Sequence, residues 1–170
     1  DDMLGRSVPF YKEVMELVEF FALKKLSSGG VAYDLGCSTA TMLIALSKKL
    51  HNSATLVGID SSAAMLEQAR KKCEAFGAKV ELVCGDILEF DYKKADLFIS
   101  SYTLQFVRPL QREELVKKVC DSLSDDGMFI FSEKVISHHP KLSRDLIEHY
   151  YDFKKTQGYS EYEIVQKREA

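Results

Sequence analysis

Residues 31–41 read Val31-Ala32-Tyr33-Asp34-Leu35-Gly36-Cys37-Ser38-Thr39-Ala40-Thr41. The run from Val31 to Leu35 predicts a short buried strand, Gly36 a tight turn, and Ser38 or Thr39 the opening of a helix. A strand that ends in glycine and feeds a helix lets the backbone approach a ligand closely. It also predicts free amide N–H groups aimed at any anionic part of that ligand. One strand later, Leu56-Val57-Gly58-Ile59-Asp60 places a carboxylate 24 residues after Gly36. That is where the tip of a second parallel strand would grip two ribose hydroxyls. Together the two signals predict a site for an adenosine-containing small molecule.

Upstream, residues 1–7 read as a linker. Phe10, Val14, Leu17, Val18, Phe21 and Ala22 then recur at helical spacing from Pro9 to about Leu26, and Ser27-Ser28-Gly29-Gly30 ends the helix. This helix, 9–26, is expected to fold over the ligand cleft as a cover. Downstream, a helix from Thr41 to Leu50 turns Met42, Leu43, Ala45, Leu46 and Leu50 inward, and Thr55 to Ile59 forms the second strand. Ser61 or Ser62 caps the next helix, which runs through Phe76 with Ala64, Met65, Ala69 and Cys73 on the core side, and Gly77 closes it.

A third strand, Lys79 to Cys84, ends in Gly85-Asp86-Ile87, and a fourth runs from Ala95 to Ser101 with Leu97-Phe98-Ile99 apolar enough to be central. A helix from about Gln111 to Leu123, a turn at Asp125-Asp126-Gly127 and a fifth strand from Met128 to Phe131, extending toward Val135, follow. Pro140 starts a helix to about Thr156, Gly158 breaks it, and a charged helical segment covers Tyr159 to Ala170. Strands alternating with helices through right-handed crossovers predict one α/β domain over 1–170. Its doubly wound, mostly parallel sheet holds the ligand at the C-terminal strand ends beside the first strand.

The 170 residues are enough to bury a core without staples, and a net charge of −3 gives no general basic field for nucleic acid. Cys37, Cys73, Cys84 and Cys120 form no CxxC pair, and the four histidines (His51, His138, His139, His149) show no metal-ligand spacing with them. No metal, no membrane span and a reducing cytoplasm are the expectations.

Single signals have plainer readings. The dinucleotide fingerprint would repeat glycine at Ser38 and Thr41, and neither is glycine, which argues against a pyrophosphate ligand and a nicotinamide dehydrogenase. Asp34 suits either a cationic amino group or an anchor for the loop. Asp60 could merely cap a helix, although Ser61 or Ser62 can do that instead; Asp86 could be a turn residue. Three strand ends carrying Gly-Cys-Ser, Asp-Ser and Asp-Ile are a stronger pattern than any one of them. Asp86 would accept from an adenine amino group and Ile87 would pack on the ring. Cys37 has no histidine near it in sequence, so a backbone contact outweighs a nucleophile. Phe129, Ile130 and Phe131 read as core; Tyr150, Tyr151, Phe153 and Tyr159 suit core first, with cleft wall or dimer contact as alternatives, whereas Lys154-Lys155 and Lys167-Arg168 read as solvated faces.

The Asp-x-Gly turn, Asp60 and Gly85-Asp86 resemble class I S-adenosylmethionine-dependent methyltransferases. More specific runs resemble one family within them, the carboxy-S-adenosyl-L-methionine synthases of bacterial wobble-uridine modification. These are Arg6-Ser7-Val8-Pro9-Phe10-Tyr11, Tyr33-Asp34-Leu35-Gly36-Cys37-Ser38, Thr103-Leu104-Gln105-Phe106, Ser132-Glu133-Lys134 and Asp152-Phe153-Lys154, then Gly158-Tyr159-Ser160-Glu161 with Gln166-Lys167-Arg168.

The resemblance implies an enzyme that converts S-adenosyl-L-methionine and prephenate to carboxy-S-adenosyl-L-methionine and phenylpyruvate. A sulfonium centre acidifies its methyl group, so an ylide can attack carbon dioxide released in place within a dry cleft. A separate enzyme then uses the product on tRNA. The resemblance implies cofactor contacts at Tyr11, Gly36, Cys37, Ser38, Asp60, Ser61, Asp86, Ile87 and Ser101, the last where relatives often carry Asn. It implies a carboxylate-binding fork at Arg168 and a homodimer, with no direct nucleic-acid contact. No separate acid or base is identified. The usual antiparallel strands after the fifth are expected to be missing from this chain, which leaves a sheet edge for a partner subunit to cover. An ordinary methyltransferase acting on tRNA or a small molecule is the alternative, although Ser100-Ser101-Tyr102-Thr103 is not its Asn-Pro-Pro-Tyr motif. A non-catalytic module that holds the adenosyl ligand is a third reading.

Overall fold

The computed structural model describes residues 2–26 and 29–166. They fall into two compact units, Met15–Lys134 and a second made from the chain ends, Asp1–Val14 with Val135–Ala170.

The larger unit carries a sheet of five parallel strands: β1 (Val31–Leu35), β2 (Thr55–Asp60), β3 (Glu81–Cys84), β4 (Ala95–Ser101) and β5 (Leu123–Ser132), in the order β3-β2-β1-β4-β5. The chain winds outward from β1 to β3, then crosses back to β4, so the order reverses beside β1. Ligands of open parallel sheets bind at such a reversal, outside the carboxyl ends of the strands. Gly36 follows β1 there.

Strands buried on both faces read as unbroken apolar runs, and Leu97, Phe98 and Ile99 of β4 are fully buried. Tyr33 stacks on Phe98 with ring centroids 5.1 Å apart, and Tyr92 meets both edge-on at 5.3 Å. Burying a side chain such as Phe98 contributes roughly 1.5–3 kcal/mol.

Helices α3 (Thr41–Lys49), α4 (Ala63–Phe76) and α5 (Pro109–Ser122) connect the strands. Ser62 caps α4, its hydroxyl accepting the Met65 N–H at 3.3 Å, and Gly77 ends it at φ 63°. The buried stripe of α4 is Leu66, Ala69 and Cys73, while Ala64 and Met65 are exposed. That corrects the expected face by a fraction of a turn. In α3 the buried residues are Leu43, Ile44, Leu46 and Ser47.

Asp125-Asp126-Gly127 do not precede the fifth strand but lie inside it. The pairing runs from Ala95↔Leu123 to Leu97↔Met128, so the surplus residues of β5 form an irregular bulge. β5 is an edge strand that stops at Ser132, and Phe131, expected in the core, is 59% exposed.

In the smaller unit, residues 2–7 are not a linker but helix α1 (Asp2–Ser7). α2 (Tyr11–Lys25) begins after a turn that holds Pro9 and Phe10, so Pro9 precedes the helix; only its first residues, to Val14, belong to this unit, and the rest belongs to the larger one. Its Leu17, Phe20 and Phe21 are exposed. Helices α6 (Pro140–Thr156) and α7 (Glu161–Gln166) complete the unit. The Arg6 guanidinium donates twice to the Gln157 carbonyl, at 2.9 and 3.1 Å, and lies over the Tyr159 ring. Lys154, expected on a solvated face, is only 6% exposed, with its ammonium 4.6 Å from the Tyr150 ring centroid. Tyr150, Tyr151, Phe153 and Tyr159 are half-buried rather than core. No helix among the described residues is long and apolar enough to cross a membrane.

Candidate active site

The turn after β1 is built from alternating left-handed residues: Gly36 at φ 75°, Ser38 at 50° and Ala40 at 57°. Only the first is glycine, and left-handed non-glycine residues persist where surrounding contacts hold them. Those contacts come from β2. The N–H groups of Gly36 and Cys37 both donate to the Ile59 carbonyl, at 2.8 and 3.0 Å, and Ser38 N–H donates to Asp60 Oδ2 at 2.8 Å. The expectation of free amides is therefore corrected at these three positions, because the turn spends them on the neighbouring strand. The helix opens later than expected, at Thr41 after an Ala40 cap.

Asp60 stands at the tip of β2. Its Oδ1 accepts the Ser62 N–H at 2.8 Å while Oδ2 holds Ser38. A carboxylate has about four acceptor positions, so lone pairs remain for a diol. Ser61, next along, is exposed. Asp34, in β1, is 5% exposed. Burial and then the charge of Asp60 push its carboxyl up to about 7. The buried Cys37 thiol is pushed up too, by burial and then by Asp34, which makes it a poor nucleophile. It packs where β2 has no side chain: a Cβ at Gly58 would fall 2.7 Å from its Sγ.

At the end of β3, Asp86 Oδ1 closes a turn by accepting the Leu88 N–H at 2.8 Å. Ile87 is half-buried and its carbonyl accepts the Tyr92 hydroxyl at 2.7 Å, while Lys118 Nζ donates to the Leu88 carbonyl at 2.8 Å. Tyr92 and Lys118 thus hold the Asp86–Ile87 loop. Sequence reading passed over both, since neither stands next to a strand tip or in a motif.

β4 ends at Ser101, whose hydroxyl is buried without a hydrogen-bond partner among the described residues. The chain then turns through Tyr102 at φ 58°, and Thr103 Oγ1 donates to the Ser101 carbonyl at 3.3 Å. Thr103 covers Gly36 so closely that a Cβ there would fall 2.6 Å from its Cγ2. Burial, then the charge of Glu133, pushes the Tyr102 phenol up. The structure brings Gly36, Cys37, Ser38, Asp60, Ser61, Asp86, Ile87 and Ser101 to one end of the larger unit's sheet. Tyr11 belongs to the smaller unit, and Arg168 lies outside the described residues.

This end of the sheet offers carboxylates from Asp34, Asp60 and Asp86, and the turn keeps no amide at Gly36, Cys37 or Ser38 for a phosphate. Such a set suits a cationic ligand that carries a diol and an amine, as S-adenosylmethionine does, and repels a pyrophosphate. The fold and the carboxylate-tipped strands are those of a class I S-adenosylmethionine-dependent methyltransferase domain.

Residues 32–127 match the family described as "Methyltransferase domain". Among solved structures, the plantazolicin methyltransferase BpumL in complex with a triazolic desmethylPZN analog and SAH is similar at 26% identity and a TM-score of 0.59. The match covers 75% of this chain and 48%, about half, of that one. The carboxy-S-adenosyl-L-methionine synthase of Sulfurimonas denitrificans is 73% identical over 170 residues, covering 100% of this chain and 72% of the relative. That of Nitratiruptor sp. is 53% identical, covering 100% and 71%. The chain belongs to the carboxy-S-adenosyl-L-methionine synthase family and is a transferase that uses S-adenosyl-L-methionine.

Proposed function

We propose that this protein converts S-adenosyl-L-methionine and prephenate to carboxy-S-adenosyl-L-methionine and phenylpyruvate. A separate enzyme then uses the product to make 5-oxyacetyluridine at the tRNA wobble position, in the cytoplasm. The observation that carries this reading is the 73% identity, over all 170 residues, to a protein of that synthase name. The carboxylate set at the strand ends supports the ligand half of it. Asp60 would hold the ribose diol, Asp86 and Ile87 the adenine, and Gly36, Cys37, Ser38, Ser61, Ser101 and Tyr11 the remaining ligand surface. Arg168 would take the new carboxylate as a bidentate fork. The exposed Phe131 on edge strand β5 supports a homodimer.

Mass spectrometry of the full-length protein with S-adenosylmethionine and prephenate tests the reading. Carboxy-S-adenosylmethionine appearing with phenylpyruvate is expected. Intact cofactor, with methyl transfer to an added acceptor, would replace it with an ordinary methyltransferase. Tight binding without turnover would leave only a binding module. Arg168→Leu should keep S-adenosylmethionine binding and lose preference for the carboxylated form; equal loss of both would remove the assigned role.

A further inference from the structure

Two sequence runs not used by the ligand set, Thr103-Leu104-Gln105-Phe106 and Ser132-Glu133-Lys134, meet at one hydrogen bond. Glu133 Oε1 accepts the Leu104 N–H at 2.6 Å. The other oxygen, Oε2, is buried and has no hydrogen-bond partner among the described residues. A carboxylate oxygen withdrawn from water without a partner costs stability. A residue that carries such a cost is explained by what it holds in place.

What Glu133 holds is the loop after β4. Tyr102 enters that loop in the left-handed region, with its N–H on the Ser132 carbonyl at 2.7 Å. The next residue, Thr103, lies on Gly36, and Leu104 is tied to Glu133. In the strand order, β4 and β5 stand on the opposite side of β1 from Asp60 and Asp86. The contacts Glu133–Leu104–Thr103–Gly36 therefore build the wall of the cleft that faces away from the adenosine-gripping carboxylates. A ligand held by its adenosine end at β2 and β3 would extend its sulfur and amino-acid end toward that side of β1.

We propose that Glu133 is a positioning residue: through the Leu104 amide it seats Thr103 over Gly36 and so fixes the wall that holds the amino-acid end of S-adenosylmethionine. The proposal rests on S-adenosylmethionine being the ligand of this site. A residue that only supports the fold would lower the melting temperature when removed. A positioning residue weakens the ligand as well, whatever the loss of the Leu104 hydrogen bond costs in stability.

The test compares full-length wild type, Glu133→Ala and Glu133→Gln by calorimetric titration with S-adenosylhomocysteine, by thermal melting, and by KM and kcat for S-adenosylmethionine. Glu133→Ala should bind about tenfold or more weakly and raise KM more than it lowers kcat, while still melting well above the assay temperature. Glu133→Gln keeps an oxygen for the Leu104 amide and should restore most of the affinity. Wild-type affinity in Glu133→Ala, a melting temperature that falls with unchanged KM, or a Gln variant as weak as Ala would overturn the proposal. Failure of the wild type itself to bind S-adenosylhomocysteine would overturn the ligand reading, and this inference with it.

Discussion

Asp60 Oδ2, at the tip of β2, accepts the backbone N–H of Ser38 at 2.8 Å. One carboxylate therefore shapes the turn after β1, and in the proposed function it also grips the ribose. Asp60→Ala should do two things at once. Affinity for S-adenosylhomocysteine should fall by about tenfold or more, and the Ser38 amide should exchange with solvent faster in the ligand-free protein. Loss of affinity with unchanged exchange at Ser38 would separate the two roles and refute the shared one.

Gly36 combines φ 75° with a Cβ position occupied by Thr103. Gly36→Ala is therefore strained in both backbone and space, and should cost about 1–3 kcal/mol in urea unfolding. The double variant Gly36→Ala with Thr103→Ala relieves only the overlap, so it should recover part of the loss. Full recovery would show that the left-handed backbone imposes no cost.

Asp34 sets a pH dependence. Its carboxyl is lifted from 3.8 to about 7 by burial and by Asp60. Between those values the folded chain keeps a proton that the unfolded chain has lost. Its contribution to stability is thus full below about pH 4, declines as pH rises toward about 7, and is gone above that. Asp34→Asn removes the slope. In ligand-free protein, urea midpoints should favour the variant more at pH 8 than at pH 5, by roughly 1–3 kcal/mol. A cationic ligand beside Asp34 reverses the shift, so wild-type affinity should rise from pH 5 to 8; a flat profile would place the positive charge elsewhere.

Tyr92→Phe deletes the hydroxyl that holds the Ile87 carbonyl and keeps the ring against Tyr33 and Phe98. Stability should fall by about 1 kcal/mol, and adenosine should compete less well against bound S-adenosylhomocysteine. Unchanged competition would show that the Asp86–Ile87 loop stands without Tyr92.

Some of this was legible in the sequence and some was not. β4 and α6 fall on the expected residues because an apolar run and a helix-opening proline are local signals. Asp60 was legible because strand tips are set by period and length. Helix α1 was not: Gly5 and polar neighbours suggest a linker, and Arg6 reaches its partners Gln157 and Tyr159 only across the fold. The face of α4 was misjudged because Met65 and Leu66 are adjacent and equally apolar, so packing alone chooses between them. The filled amides of Gly36, Cys37 and Ser38 depend on the placement of β2, which motif spacing does not encode. Glu133 stands out in the sequence only as part of a run, since nothing local distinguishes a buried carboxylate from a solvated one.

The groups at the tips of β2 and β3 are suited to the sugar and base, which a substrate and its carboxylated product have in common. An enzyme that grips both through the same handle is exposed to inhibition by its own product. Discrimination between the two then has to come from whatever meets the new carboxylate, the role proposed for Arg168. A steady-state progress curve that slows as carboxy-S-adenosylmethionine accumulates, well before S-adenosylmethionine is exhausted, is the kinetic signature of that division of labour.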